Sequence, residues 1–497
     1  MSTQAPVLMI IAPLIASIFI TLIGWFRPKL SHPIAVISLL ISSIASIQVF
    51  QMVLSNGPQQ YFLGNWPAPF GIEYVIDHLN SLLLVTISVV ATLVALYAKR
   101  SVEKELPDKL ANYYTLFVLL VTGLLGISIT GDAFNLYVLL EIAALTSYAL
   151  IAFAKGRSLM ATFNYVMMGS IGACFYLLGV GYLFIKTGTL NMTNLSQILV
   201  SLHMSQAVLV GFVLIILGMW VKMAFFPVHG WLSNAYTYAP TASTCLIAPL
   251  MTKVSVYVMI RVMTSVFSTE YVFNHLSWHL VVVAMASVAI LVGSMMALSQ
   301  RDLKKCMTYL VVAEIGYMVG GAWLGNPAGM TGATYHIIAD AAMTACLFMA
   351  VGCIIYKHGH TSLDTMKGIF RKMPLTMLGF VVGMLSMIGV PPTCGFFSKW
   401  YLISGAIEAG QWHFMLALLF SSLVNAIIFF RIIEIGFFGS LGSETPDPHE
   451  HQDVAVKEAP LSMVLPMLVV AGALIGIGIY TSDIISLVIQ PLISATF

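Results

Sequence analysis

The chain has 497 residues, of which 59% are hydrophobic and 8% charged, a balance too apolar for soluble domains whose surfaces face water. A net charge of +2 leaves no basic footprint of the kind that a nucleic-acid-binding surface needs. This is the composition of an integral membrane protein.

A bilayer core of about 30 Å takes about 20 apolar residues as one helix, because each residue rises about 1.5 Å. In chain order the apolar runs cover 5–26, 33–54, 79–98, 113–130, 134–154, 160–186, 206–228, 241–264, 277–298, 305–325, 330–356, 376–407, 412–438 and 461–490, which makes about fourteen predicted spans. The first reads as a retained helix and not a cleaved leader, since no Lys or Arg precedes it. Basic residues collect after odd-numbered spans: Arg27 and Lys29, then Lys99, Arg100, Lys104 and Lys109, then Lys155 and Arg157. The pattern continues with Arg301, Lys304 and Lys305, with Lys357, Lys367, Arg371 and Lys372, and with Lys457. Loops after even-numbered spans hold almost none apart from Lys186 and Arg261. Under the positive-inside rule this alternation puts both termini on the non-cytoplasmic side of a cell (inner) membrane. The cysteines Cys174, Cys245, Cys306, Cys346, Cys353 and Cys394 fall in or beside apolar spans without paired spacing. They read as small core hydrophobes, with no disulfide and no metal site expected.

Removing the loop charges leaves Glu141, Lys222, Lys253, Glu314, Asp340, Lys399 and the pair Arg431 and Glu434 inside spans. A charge at mid-bilayer costs about 3 kcal/mol on insertion scales, so such residues face a bundle interior or an aqueous path and mark ion or proton routes. The alternative is a polar lock between helices or a side chain that snorkels to the interface, and Arg431 with Glu434, near a helix end, fits that better. Glu141, in NLYVLLEIAALTSYAL, and Lys253, in LIAPLMTKVSVYVMI, lie too deep to snorkel easily. A lysine balanced between desolvation and a nearby carboxylate can titrate near neutral pH, and separating the two then gates a proton. A static ion pair uses the same residues.

Lys222 is followed by Pro227 in VKMAFFPVHGWL, and Lys399 is preceded by Pro391 and Pro392 in GVPPTCGFFSKWYL. Proline breaks a helix and frees carbonyls, and in a bilayer such breaks persist only inside protein or beside water. The two broken spans are the seventh and twelfth, so spans four to eight and nine to thirteen form two five-helix units, the second inverted because five is odd. The expected organisation is an N-terminal three-helix region over 1–112, repeats over 113–264 and 277–438, and a last helix over 461–497. Glu314 is then the counterpart of Glu141, and Asp302 that of Asp132. His229, at the end of the first broken helix, is placed to bridge Lys222 and Lys253, and it titrates in the physiological range. His336 and Asp340, four apart, share a helix face and form the middle of a lateral path, with a satisfied core histidine as the bland alternative for His336.

These residues resemble the antiporter-like subunits shared by Mrp-type cation/proton antiporters, respiratory complex I and membrane-bound hydrogenases. The resemblance rests on GNWPAPFGI (64–72), GDAFNLYVLLEIAALTSYAL, VKMAFFPVHGWL, QRDLKK and the stretch 373–402, the first and last being most similar to the D-type subunit of Mrp antiporters. It implies Glu141 and Lys222 as the gating pair of the first half, Lys253 as the connecting lysine and Lys399 as the terminal lysine. It also matches His229 to the histidine that ends the broken helix, and His336 to the first polar residue of span eleven. Two positions depart from the family pattern. Span eleven has His336, Asp340 and Thr344 where His-x3-His-x3-Lys is usual, and Glu314 stands where a neutral polar residue is usual. Those added acids suit either a proton path or a sodium ion held by oxygen ligands.

The implied function is a proton-translocating subunit of a multisubunit cation/proton antiporter, sodium being the implied cation. The alternative is a proton- or sodium-pumping membrane subunit of a redox-driven complex, complex I-like or a membrane-bound hydrogenase, and a purely structural subunit is the third. No haem, flavin, nucleotide or iron–sulfur motif is present, so no cofactor is expected and any redox chemistry belongs to partner membrane subunits.

Overall fold

The computed structural model describes residues 4–363, 366–438 and 458–496. Lys457 and Phe497 lie outside them. The chain opens with α1 (Ala5–Gly24) and α2 (Ser31–Asn56), then a small antiparallel pair, β1 (Gln59–Phe62) with β2 (Glu73–Ile76), in the register Gln59 opposite Ile76. The helices α3 (His78–Glu105), α4 (Leu110–Ile129), α5 (Ala133–Ala152) and α6 (Arg157–Thr187) follow. A surface helix, α7 (Met192–Leu199), leads into α8 (Gln206–Met223), α9 (Gly230–Tyr238) and α10 (Thr241–Arg261). The second half runs through α11 (His279–Leu298), α12 (Leu303–Trp323), α13 (Pro327–His358), the short α14 (Ile369–Lys372), α15 (Pro374–Ile388), α16 (Cys394–Glu408) and α17 (Trp412–Phe438). The chain closes with α18 (Leu461–Ile479), α19 (Thr481–Ile484) and α20 (Gln490–Thr496).

Among the described residues thirteen helices are long and apolar enough to cross a membrane. The expected span 376–407 is missing from that set because it is two helices, α15 and α16, of 15 residues each. The expected span 461–490 is also shorter, since α18 stops at Ile479 and the chain turns through α19. The helices α10, α12 and α13 are buried on all sides, whereas α1 and α6 bury only 39% of their apolar windows. A helix apolar all round belongs in an interior, and these three carry Lys253, Glu314, His336 and Asp340. The charges therefore face protein and not lipid.

The two breaks are built alike. The helix α8 ends at Ala224, whose φ of 60° is left-handed, and α15 ends at Gly389 with φ 93°. Such a residue terminates a helix, and glycine adopts it without a Cβ penalty. Each chain then passes a proline, Pro227 or Pro392, and restarts at a glycine and an aromatic ring, Gly230 with Trp231 and Gly395 with Phe396. The spacing is identical in both, and it sets Met387, not Lys399, opposite Lys222. The lysines thus lie on opposite sides of their breaks. Asp132 and Asp302 are helix caps: Asp132 accepts from the Asn135 N–H at 2.6 Å, and Asp302 from the Lys305 N–H at 2.8 Å. One cysteine departs from the core expectation, since Cys174 is exposed on α6, a helix with a wide outer face, while the other five are buried.

Candidate functional site

The buried charges form pairs strung across the middle of the chain. In the last turn of α8, Lys222 donates to Glu141 Oε1 at 3.1 Å. The lysine side chain is 4% exposed and the α5 glutamate 28%, so this pair has one open flank. The next pair is closed: Lys253 Nζ lies 2.8 Å from Asp340 Oδ2, with both side chains at 0% exposure. Lys253 also donates to the Ala248 carbonyl at 3.2 Å and to Thr344 Oγ1 at 3.4 Å, and Thr344 donates to Asp340 Oδ1 at 2.8 Å. Asp340 and Thr344 are four apart on α13, so one helical turn presents both to α10.

Farther along α13, His336 Nε2 sits 2.6 Å from Glu314 Oε2, and His336 Nδ1 sits 2.9 Å from Ser398 Oγ. The other carboxylate oxygen, Glu314 Oε1, is buried without a hydrogen-bond partner. Lys399 takes a different solution. It donates to the Met387 and Ile388 carbonyls at 2.7 and 3.3 Å and to Ser422 Oγ at 3.0 Å, with its ammonium 5.1 Å from the Tyr317 ring centroid. Those carbonyls close α15, where helix geometry leaves acceptors free and the helix dipole favours a cation. Asn425 donates to the same Met387 oxygen at 3.1 Å.

The sequence-predicted residues therefore meet as Glu141 with Lys222, Lys253 with Asp340, and Glu314 with His336. His229 stays apart: its ring stacks on Phe226 with centroids 5.4 Å apart, and its buried Nδ1 has no hydrogen-bond partner. In this conformation it hydrogen-bonds to neither Lys222 nor Lys253. Among the described residues no ion pair joins Arg431 to Glu434; Arg431 donates weakly to the Leu298 carbonyl at 3.5 Å. The residues missed at the sequence level are Ser398, Ser422, Asn425 and Tyr317. Ser398 had a signal, lying beside Lys399, whereas Ser422 and Asn425 sit in an apolar run with no pattern to mark them. Equally, the two acids that depart from the family pattern each meet a base. At an effective dielectric near 20, charges 4 Å apart interact by about 4 kcal/mol, so each pair is a strong local contact.

The family described as NADH:quinone oxidoreductase/Mrp antiporter, TM, matches residues 130–425. Among curated proteins, the chain is 39% identical to NADH-quinone oxidoreductase subunit N of Desulforudis audaxviator, over 99% of this chain and 98% of that one. It is 31% identical to the D-type subunit of the Na(+)/H(+) antiporter of Bacillus subtilis, over 89% and 88%. Among solved structures, it superposes on a chain of the membrane-bound sulfane sulfur reductase, an archaeal respiratory membrane complex, with TM-score 0.87 and 30% identity over 99% and 100% of the chains. A chain of the Mrp complex from Dietzia sp. gives TM-score 0.86 at 22% identity over 99% and 98%, a likeness of fold. Identity to the quinone oxidoreductase subunit thus exceeds identity to the D-type antiporter subunit that residues 64–72 and 373–402 suggested.

Proposed function

The chain belongs to the NADH:quinone oxidoreductase/Mrp antiporter transmembrane family, and on that premise we propose that it carries protons along its buried row of charges. It is an antiporter-like, multi-pass membrane subunit of the kind found in Mrp and complex I-type assemblies. The observation that carries the proton reading is the Lys253–Asp340 pair, wholly buried at the centre with Glu141–Lys222 toward one side and Glu314–His336 toward the other. Moving one member of a pair changes its partner's proton affinity by orders of magnitude, so each pair passes a proton by opening. His229, stacked on Phe226 and bonded to neither lysine, is the mobile group that joins the first two pairs when its ring turns.

Two inverted five-helix units, 113–264 and 277–438, place the pairs. The reading is supported by the matched breaks at Ala224 and Gly389 and by the matched caps Asp132 and Asp302. With the broken α15/α16 element counted, the crossings number fourteen, and the basic loops put both termini on the non-cytoplasmic face of the cell membrane.

Two parent complexes fit. Sodium/proton antiport of the Mrp D type is supported by the Bacillus subtilis relative, and redox-driven pumping by the likenesses to the quinone oxidoreductase subunit and the sulfane sulfur reductase. In both settings the proton reading is supported by Asp340 and Glu314 each lying against a base, Lys253 and His336. The test is Lys222→Ala and Lys399→Ala in vesicles containing the assembled complex at matched expression. Proton movement falls by about 100-fold in each. Parent-level transport in both defeats the proposal.

A further inference from the structure

A second polar cluster lies outside this row, on the face rich in Lys and Arg. Glu105, the last residue of α3, is exposed to a cavity of about 370 Å³ lined also by Asp108, Lys109, Lys155 and Pro240. Its carboxylate does not belong to the surface alone. One oxygen accepts from Ser101 Oγ at 2.9 Å, and the other accepts from the Thr241 N–H at 3.0 Å, at the first residue of α10. Beside it, Lys304 is 6% exposed, donates to the Ala239 carbonyl at 2.7 Å and interacts with the Glu105 charge. The phenols of Tyr97 on α3 and Tyr113 on α4 are also within reach of that charge, as is Cys245 on α10.

From this cluster α10 runs inward to Lys253, twelve residues or about 18 Å from Thr241. Along that length the Tyr97 phenol interacts with Cys245 and the Tyr113 phenol with Ser243, while the hydroxyls of Tyr236 and Thr252 are buried without hydrogen-bond partners among the described residues. Ser243 and Thr244 donate only to backbone carbonyls, Leu150 at 3.1 Å and Tyr236 at 3.0 Å. Buried polar atoms are normally satisfied, so two unpartnered hydroxyls beside Tyr97, Tyr113, Ser243 and Cys245 mark one side of α10 as a polar file within an otherwise apolar core.

We propose that Glu105 is the proton-loading residue of the buried row, taking protons from the cavity and passing them along the hydroxyls beside α10 to Lys253. The step balances simply. The carboxylate takes a proton from hydronium in the cavity and becomes the neutral acid. It then releases that proton inward and is again an anion held by the Thr241 N–H and the Ser101 hydroxyl. The lysines Lys109 and Lys155 line the mouth of the cavity without occupying the Glu105 oxygens.

This inference rests on the proton-carrying reading above, and its test separates the two. Inside-out vesicles containing the assembled complex present the cavity to the outer solution, where proton uptake is followed with a pH indicator. Glu105→Gln keeps its one acceptor oxygen for the Thr241 N–H and turns its amide N–H to Ser101 Oγ, which accepts in place of donating, but it cannot load a proton; uptake slows by about 100-fold while thermal unfolding is unchanged. Glu105→Ala is slow as well, and formate or azide added outside restores part of its rate, which a structural defect does not allow. Parent-level uptake in Glu105→Gln overturns the assignment, as does slow uptake in Glu105→Ala that small weak acids leave untouched. Lys222→Ala in the same vesicles decides the reading on which it rests, whatever Glu105 does.

Discussion

Lys253 and Asp340 show what a residue in this core has to satisfy. Taking both charges out of water costs several kcal/mol per ion, and a gap of 2.8 Å with Thr344 on the second carboxylate oxygen returns most of it. Removing one partner strands the other. Asp340→Leu therefore lowers stability by about 3–5 kcal/mol, whereas Lys253→Met combined with Asp340→Leu recovers to within about 1–2 kcal/mol, because an apolar pair of similar volume has no desolvation cost. Thermal unfolding of the purified complex checks this, and equal loss in the single and double variants contradicts it. Lys253 was legible in the sequence, since a lone lysine a dozen residues into an apolar run has to find a counter-charge or water inside the protein. Asp340 was legible in the same way, as a charge inside an apolar span, but that it pairs with Lys253 was not. That two acids out of pattern are the counter-charges of Lys253 and His336 depends on which faces of α10, α12 and α13 meet, and periodicity says nothing about that when a helix is buried all round.

At the scale of elements, proline marked both breaks from the sequence, and where each helix stops is set by the residue in the left-handed conformation. Ala224 adopts φ 60° with a Cβ, at a cost that Gly389 does not carry. Ala224→Gly accordingly raises stability by about 0.5–1 kcal/mol and Gly389→Ala lowers it by about 1 kcal/mol or more, as read by the same unfolding measurement. Opposite signs identify the two as one kind of terminator; a loss in both contradicts that. The break expected at Pro391 and Pro392 within 376–407 is the gap between α15 and α16. Hidden in the same stretch was the shared spacing of Pro227, Gly230 and Trp231 with Pro392, Gly395 and Phe396, which sets the register of the two halves. It explains why Lys399 reaches back to the Met387 carbonyl, the position matched to Lys222. In one half a side chain supplies the cation at that spot from within the helix, and in the other the chain brings it across the break.

Over the whole molecule, composition and loop charge carried the membrane assignment, and burial in the central helices α10, α12 and α13 explains how such a chain tolerates its ionisable residues. Every interior charge of the row meets an opposite charge or a set of helix-end carbonyls, so no single pair distinguishes a relay from a fastener. The distinction lies in whether the pairs open. The Lys253→Met with Asp340→Leu variant separates the two, since it keeps the fold while removing the central exchange site. Proton flux through vesicles containing the assembled complex with that double variant falls by about 100-fold at parent-level expression; flux equal to the parent's means that the row is static and the protons travel elsewhere.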